Sequence, residues 1–186
     1  MRKLLVGILT VAVMGLVWTA SALAAPGWGL TGAGGFAAPG VDGDFNVSAH
    51  SDIGGADATG QMHLFLTNPQ VSIDTRADVT CLDVIGTNRA GALGPLEHPV
   101  TLFGFTYDFG GISVTDNSGT NSPDTVAFWV STTASQADCH YIATVGGFVP
   151  LQQGNVVIHN AGDTSESASD PFKPPADVQL YRLGSS

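Results

Sequence analysis

Positive charge is scarce in this chain. Lys and Arg number 6 against 16 Asp and Glu, for a formal net charge of −10. A surface so short of cations repels phosphate backbones and anionic lipid, which excludes nucleic acid as a partner. Amphipathic helices are lacking as well. Beyond the N-terminal segment no stretch of about ten residues repeats its apolar side chains at helical spacing, so helix content is expected to be low. Cysteine occurs twice, as Cys81 and Cys139, with no zinc-site spacing between them. Catalytic signatures are missing too: there is no G-x-S-x-G and no S-x-x-K. The only glutamates are Glu97, in a loop, and Glu166, near the C-terminus. They offer no carboxylate pair for glycoside hydrolysis.

The N-terminal segment has a clear purpose. Arg2 and Lys3 form a positive start, residues 4–17 are almost wholly apolar, and Ala22 and Ala24 supply an A-x-A cleavage pattern. The apolar run falls short of the ~20 residues needed to span a bilayer. Residues 1–24 are therefore read as a secretory signal peptide. The mature chain is expected outside the cell, with no membrane span. Cleavage removes two basic residues and no acidic one, so the mature protein is two units more negative still. An oxidising compartment makes a disulfide between Cys81 and Cys139 the default.

The remainder is rich in Gly, Ser, Thr and Val and is punctuated by turn residues, which suits many short strands. Residues 25–42 are Gly-rich and read as a leader, with a possible edge strand near residues 34–37. Residues 43–160 form the domain, and residues 161–186 a Ser/Asp/Pro-rich tail. Phe45–Ala49 and Gln61–Leu66 alternate as a hairpin joined by the turn 51–60; Met62, Leu64 and Leu66 face one way, and Gln61, His63 and Phe65 the other. Residues 100–107 read as the most apolar strand, and residues 139–142 as another. The central feature is 111–130, where two β-rich runs flank a polar loop from Asp116 to Asp124. That is a hairpin with a long, oxygen-rich tip. The expected fold is all-β: one antiparallel sandwich or flattened barrel of about eight to ten strands.

Phe45-Asn-Val, Gly60-Gln-Met-His-Leu, the 78–86 segment DVTCLDVIG, Val114-Thr-Asp-Asn-Ser-Gly119, Asp124-Thr-Val-Ala-Phe, Cys139 and the closing 154–159 segment GNVVIH occur in that order. Their order and spacing resemble a family of small exported bacterial β-rich domains of actinobacterial type, over roughly residues 34–160. The resemblance implies an antiparallel sandwich or barrel with a Cys–Cys link, and it carries over no catalytic residue.

Two candidate sites follow from the residues. At the hairpin tip, Asp116, Asn117, Ser118, Thr120, Asn121 and Asp124 offer the oxygens that calcium favours. The spacing is not that of an EF-hand, and a turn stitched by its own side chains accounts for the same residues. Calcium is the only cofactor suggested. The second candidate is an aromatic face. Phe103, Phe105, Tyr107 and Phe109 alternate along the 100–107 run and its continuation, while Phe128 and Trp129 point to opposite faces of their strand. An exposed set of Phe103, Phe105, Tyr107 and Trp129 would suit stacking on a polymer, whereas core packing explains the same rings. The five histidines, His50, His63, His98, His140 and His159, show no metal-motif spacing. Together these features favour a secreted non-catalytic module that binds an extracellular partner or polymer, or has a structural role there. The alternatives are a small hydrolase or lyase using His and Asp, and a carrier with a ligand cavity inside a barrel.

Overall fold

The computed structural model describes residues 27–69, 72–102, 104–160 and 178–180. The expected signal peptide (1–24), nearly all of the tail and Phe103 lie outside the described residues.

The described residues form ten strands and one helix: β1 Gly27–Ala38, β2 Val41–Asp52, β3 Thr59–Thr67, β4 Ser72–Asp78, β5 Cys81–Ile85, β6 Arg89–Leu102, β7 Phe105–Thr115, β8 Thr125–Ser131, α1 Gln136–Val145, β9 Val149–His159 and β10 Val178–Leu180. All strand pairings are antiparallel. The order β8-β7-β6-β4-β3-β2-β1-β9 closes on itself through β8–β9, with β5 and β10 added beside β6 and β8. Two well-paired sheets lie within this ring. One is β9-β1-β2-β3-β4, and the other is built from β5, β6, β7, β8 and β10. The corners joining them are narrow: Ala77↔Leu96 is the sole β4–β6 pair, and β8–β9 has two. Sandwich and flattened barrel are thus both fair descriptions, and the all-β expectation is met.

Side-chain alternation explains the core. Along β2, Val41, Phe45, Val47 and Ala49 are buried while Asp42, Asp44, Asn46, Ser48 and His50 are exposed. Met62, Leu64 and Leu66 of β3 point inward beside them and meet Val84, Ala92, Ile112, Val114 and Phe128 from the opposite sheet. The period-2 pattern read from the sequence therefore survives in three dimensions.

Three expectations are corrected. Gly27–Ala38 is no leader but strand β1, paired on one side with β2 and on the other with β9. Its glycines lower intrinsic strand propensity, yet they make room for bulky neighbours. A Cβ at Gly34 would stand 3.3 Å from Phe45 Cε1 and 3.2 Å from Leu151 Cδ1. The β1–β2 turn is made by Pro39 and Gly40, the glycine with φ +79°, where other residues would be strained. Next, residues 100–107 are two strand ends rather than one strand. Leu102 pairs with Phe105 across a turn in which Gly104 has φ +82°. Lastly, Cys139–Ile142 is helical. Ser135 caps α1 and accepts a hydrogen bond from the Asp138 nitrogen, while the Asp138 carboxylate accepts from the Ser135 nitrogen at 2.7 Å. This reciprocal capping starts a helix whose apolar periodicity is too weak to show in sequence.

Helix α1 lies on the outer face of the β5-β6-β7-β8 sheet and encloses a second small core of Leu93, Ala127, Trp129, Ile142 and the two cysteines. Cys81 of β5 and Cys139 of α1 form the disulfide, with Cα atoms 6.2 Å apart. Gly91 permits the close approach: a Cβ there would lie 2.6 Å from Ile142 Cγ1 and 2.7 Å from the Ala143 nitrogen.

Candidate functional site

The hairpin tip forms where it was expected, between Thr115 and Thr125. Several of its side-chain oxygens are engaged. Asp116 Oδ1 accepts from the Ser118 nitrogen at 2.8 Å, and Thr120 Oγ1 donates to the Asn117 carbonyl and accepts from the Ser122 nitrogen. Asn117 Nδ2 donates to the Pro123 carbonyl at 2.7 Å. Asp124 is buried. Its Oδ1 accepts from the Asn117 nitrogen at 2.8 Å, and its Oδ2 from the Val156 nitrogen of β9 at 2.9 Å. Asp124 therefore rivets the tip to β9, and the geometry is that of a self-stitched turn. Among the described residues no group of three His, Cys, Asp or Glu side chains is placed to hold a metal ion. Between the tip and β9 lies an open cleft of about 310 Å³ bordered by Ser122, Gln152, Gln153 and Asn155.

The proposed aromatic face does not assemble. Tyr107 and Trp129 are buried, 4% and 1% exposed, whereas Phe105 is 64% exposed at the β6–β7 turn. Trp129 lies under α1, edge-on to Tyr141. Its Nε1 donates to Ser113 Oγ at 2.8 Å, and Ser113 Oγ donates to the Gly146 carbonyl. The alternation that places Phe128 in the main core turns Trp129 into the second core.

The histidines are dispersed. His140 Nδ1 lies 2.7 Å from Oδ2 of the buried Asp83, and Asp83 Oδ1 accepts from the Val84 nitrogen. With the adjacent disulfide, this pair ties α1 to β5. His63 Nε2 lies 2.6 Å from Asp74 Oδ1, and His50 Nε2 lies 2.9 Å from Thr59 Oγ1.

Both of those last pairs sit on a surface that the sequence reading passed over, the outer face of β9-β1-β2-β3-β4. Strand register sets its residues in rows perpendicular to the chain. Gln153, Gly35, Asp44, Phe65 and Asp74 make one row; Asn155, Ala33, Asn46, His63 and Arg76 make the next. Strand β1 contributes only small side chains, so it forms a shallow floor between β9 and β2. Above Gly35, Asp44 Oδ1 and Gln153 Nε2 come within 2.8 and 3.0 Å of the position a Cβ would take. An acceptor and a donor thus converge over bare backbone. Phe65, half-buried, lies between Asp44 and Asp74, with Asp74 steadied by His63. The signal in the sequence was the polar half of the β2 and β3 alternation, including Phe65 where a polar residue would be ordinary. Comparison with protein-family models, with curated proteins and with solved structures gave no match.

Proposed function

We propose that this protein is an exported, non-catalytic binding module that holds an extracellular polyhydroxylated polymer, a glycan, on the outer face of β9-β1-β2-β3-β4. The carrying observation is the in-register row of Asp44, Phe65 and Asp74 beside the Gly35 floor. An aromatic ring offers a flat apolar surface to the C–H face of a sugar, and flanking carboxylates accept hydrogen bonds from its hydroxyls. The amides of Gln153, Asn155 and Asn46 supply donors along the same face. Cross-strand neighbours lie about 5 Å apart, so the groups are held at fixed spacing by the sheet rather than by loops.

A carrier function draws little support from the interior. The apolar void among Leu64, Leu66, Ile73, Leu96 and Phe128 measures about 20 Å³, room for about one water. A hydrolase has one observation in its favour, the Asp83–His140 pair, but those residues stand at the β5–α1 contact beside the disulfide, where cross-linking accounts for them.

The test is co-sedimentation of the purified mature protein with insoluble cellulose, chitin and β-glucan, alongside Phe65→Ala. Wild type should deplete from solution with at least one polymer, and Phe65→Ala should remain in the supernatant. Failure of wild type on every polymer, or equal binding by the variant, would remove the proposal.

A further inference from the structure

We infer that the glycan held on this face carries protonated amines, as an amino sugar with free amino groups does. The inference rests on the glycan-face reading and narrows it by charge.

The face is rich in acceptors and poor in counter-charge. Asp42, Asp44, Asp52, Asp74 and Asp78 all point outward from β2 and β4, against the single guanidinium of Arg76. A neutral sugar is served by a balance of donors and acceptors, because each hydroxyl both gives and takes a hydrogen bond. An ionised carboxylate only accepts. Asp44 makes no side-chain hydrogen bond to the described residues; its carboxylate leans over Gly35 of β1, and Phe65 of β3 is its cross-strand neighbour on the other side. Asp74 stands on the far side of the same ring. Carboxylate, aromatic face and carboxylate therefore follow one another across three adjacent strands.

That arrangement selects for a cation bearing hydrogen-bond donors. The negative face of an aromatic ring attracts an ammonium group directly, and a charge-assisted bond to a carboxylate is stronger than a neutral one. Exposed charges interact over a screening length of about 8 Å at physiological salt, which exceeds the strand-to-strand spacing. The field of both carboxylates therefore reaches an ammonium seated at Phe65, with Asp44 on the β1 side of the ring's strand and the His63-paired Asp74 on the other. The chain as a whole carries −10, so it repels sulfated and uronic glycans and leaves amine-bearing ones favoured. The floor of β1 and the open cleft at the hairpin tip continue the track past β9, so a polymer can pass across the face instead of ending in a pocket.

The experiment measures binding of two soluble probes by calorimetry, the de-N-acetylated chitin hexamer and its fully N-acetylated counterpart, with hexalysine as a third. The de-N-acetylated hexamer should bind about tenfold tighter than the acetylated one, a difference of about 1.4 kcal/mol, and should weaken at high salt. Phe65→Ala, which leaves the charge unchanged, and Asp44→Asn should each cost about tenfold. Asp108→Asn, removing the same charge from the exposed side of β7, should cost little. Equal binding of the two hexamers would overturn the amine inference while the glycan reading stands. If Asp108→Asn weakens binding as much as Asp44→Asn, or hexalysine binds as tightly and ignores Phe65→Ala, the attraction is general electrostatics and the inference falls. Absence of binding to both hexamers, together with no co-sedimentation on any polymer, brings down the glycan reading itself.

Discussion

The two sheets start from the same alternation and end with opposite outer faces. At the centre of the outer face of the β5-β6-β7-β8 sheet, Cys81, Asp83, Gly91, Leu93, Ser113, Ala127 and Trp129 are buried under or around α1. Outward positions on β2, β3 and β4 are mainly Asp, Asn, Ser, His, Gln and Arg, and the described residues place no helix over them. The buried polar groups on the first face have protein partners, as in the Trp129–Ser113–Gly146 relay and the Asp83–His140 pair. On the second face Asp44, Asn46, Gln153 and Asn155 have none among the described residues. A covered face spends its polarity on holding the molecule together. An open one keeps it for something else. That contrast is the main physical ground for placing the binding surface on the β9-β1-β2-β3-β4 side.

The contrast can be attacked from both faces. The largest effect is expected from replacing both cysteines with serine. The disulfide joins cysteines 58 positions apart, and its loss should lower unfolding stability by about 4 kcal/mol, read by urea denaturation, while polymer binding by the folded fraction is retained. Loss of binding by protein still folded would tie the two faces together and weaken the division drawn here.

Gly91→Ala comes next, at about 3 kcal/mol, because the new methyl meets helix backbone that cannot turn aside. The paired substitution on the open face, Gly35→Ala, meets only the movable ends of Asp44 and Gln153. It should cost less than about 0.5 kcal/mol and register instead as weaker binding. Similar stability losses at the two glycines would show that the open face is as tightly packed as the covered one.

Asp124→Ala should cost about 2 kcal/mol, since two backbone donors lose their acceptor. Calcium provides an independent readout. A self-stitched tip predicts an unfolding midpoint unchanged by added calcium or chelator in the wild type, whereas a concentration-dependent rise would restore the ion-binding reading. Phe65→Ala closes the series, with a stability change of about 0.5 kcal/mol or less and the greatest loss of polymer binding. A loss of stability as large as that of Gly91→Ala would make Phe65 a packing residue.

Much of the fold was legible because its signals are local. The Met62–Leu64–Leu66 alternation and the hairpin around Asp116–Asp124 were readable over a few residues. The errors have definite causes. Strand β1 was hidden by its glycines, whose value lies in the space they leave for Phe45 and Leu151. Helix α1 was hidden by brevity, although its Ser135–Asp138 capping pair stood in the sequence. Trp129 and Tyr107 were candidates for an exposed platform because alternation tells which side chains share a face but not what covers that face. The site was the least legible part. Asp44, Phe65 and Asp74 are distant in sequence and become neighbours only when β2, β3 and β4 pair in register.

Legible in the residues alone were the strand-rich class, the inward and outward sides of β2 and β3, the hairpin at Asp116–Asp124 and the pairing of the two cysteines. These follow from side-chain period, backbone restrictions and cysteine number, which act over short distances or need no geometry. The closure of the sheet, the enclosure of β1 between β2 and β9, the covering of one face by α1 and the alignment of carboxylates with Phe65 on the other emerge only in three dimensions. Those outcomes depend on contacts between segments far apart in the chain. Their stability comes from burying many side chains at once, a cooperative quantity that no short stretch of sequence contains.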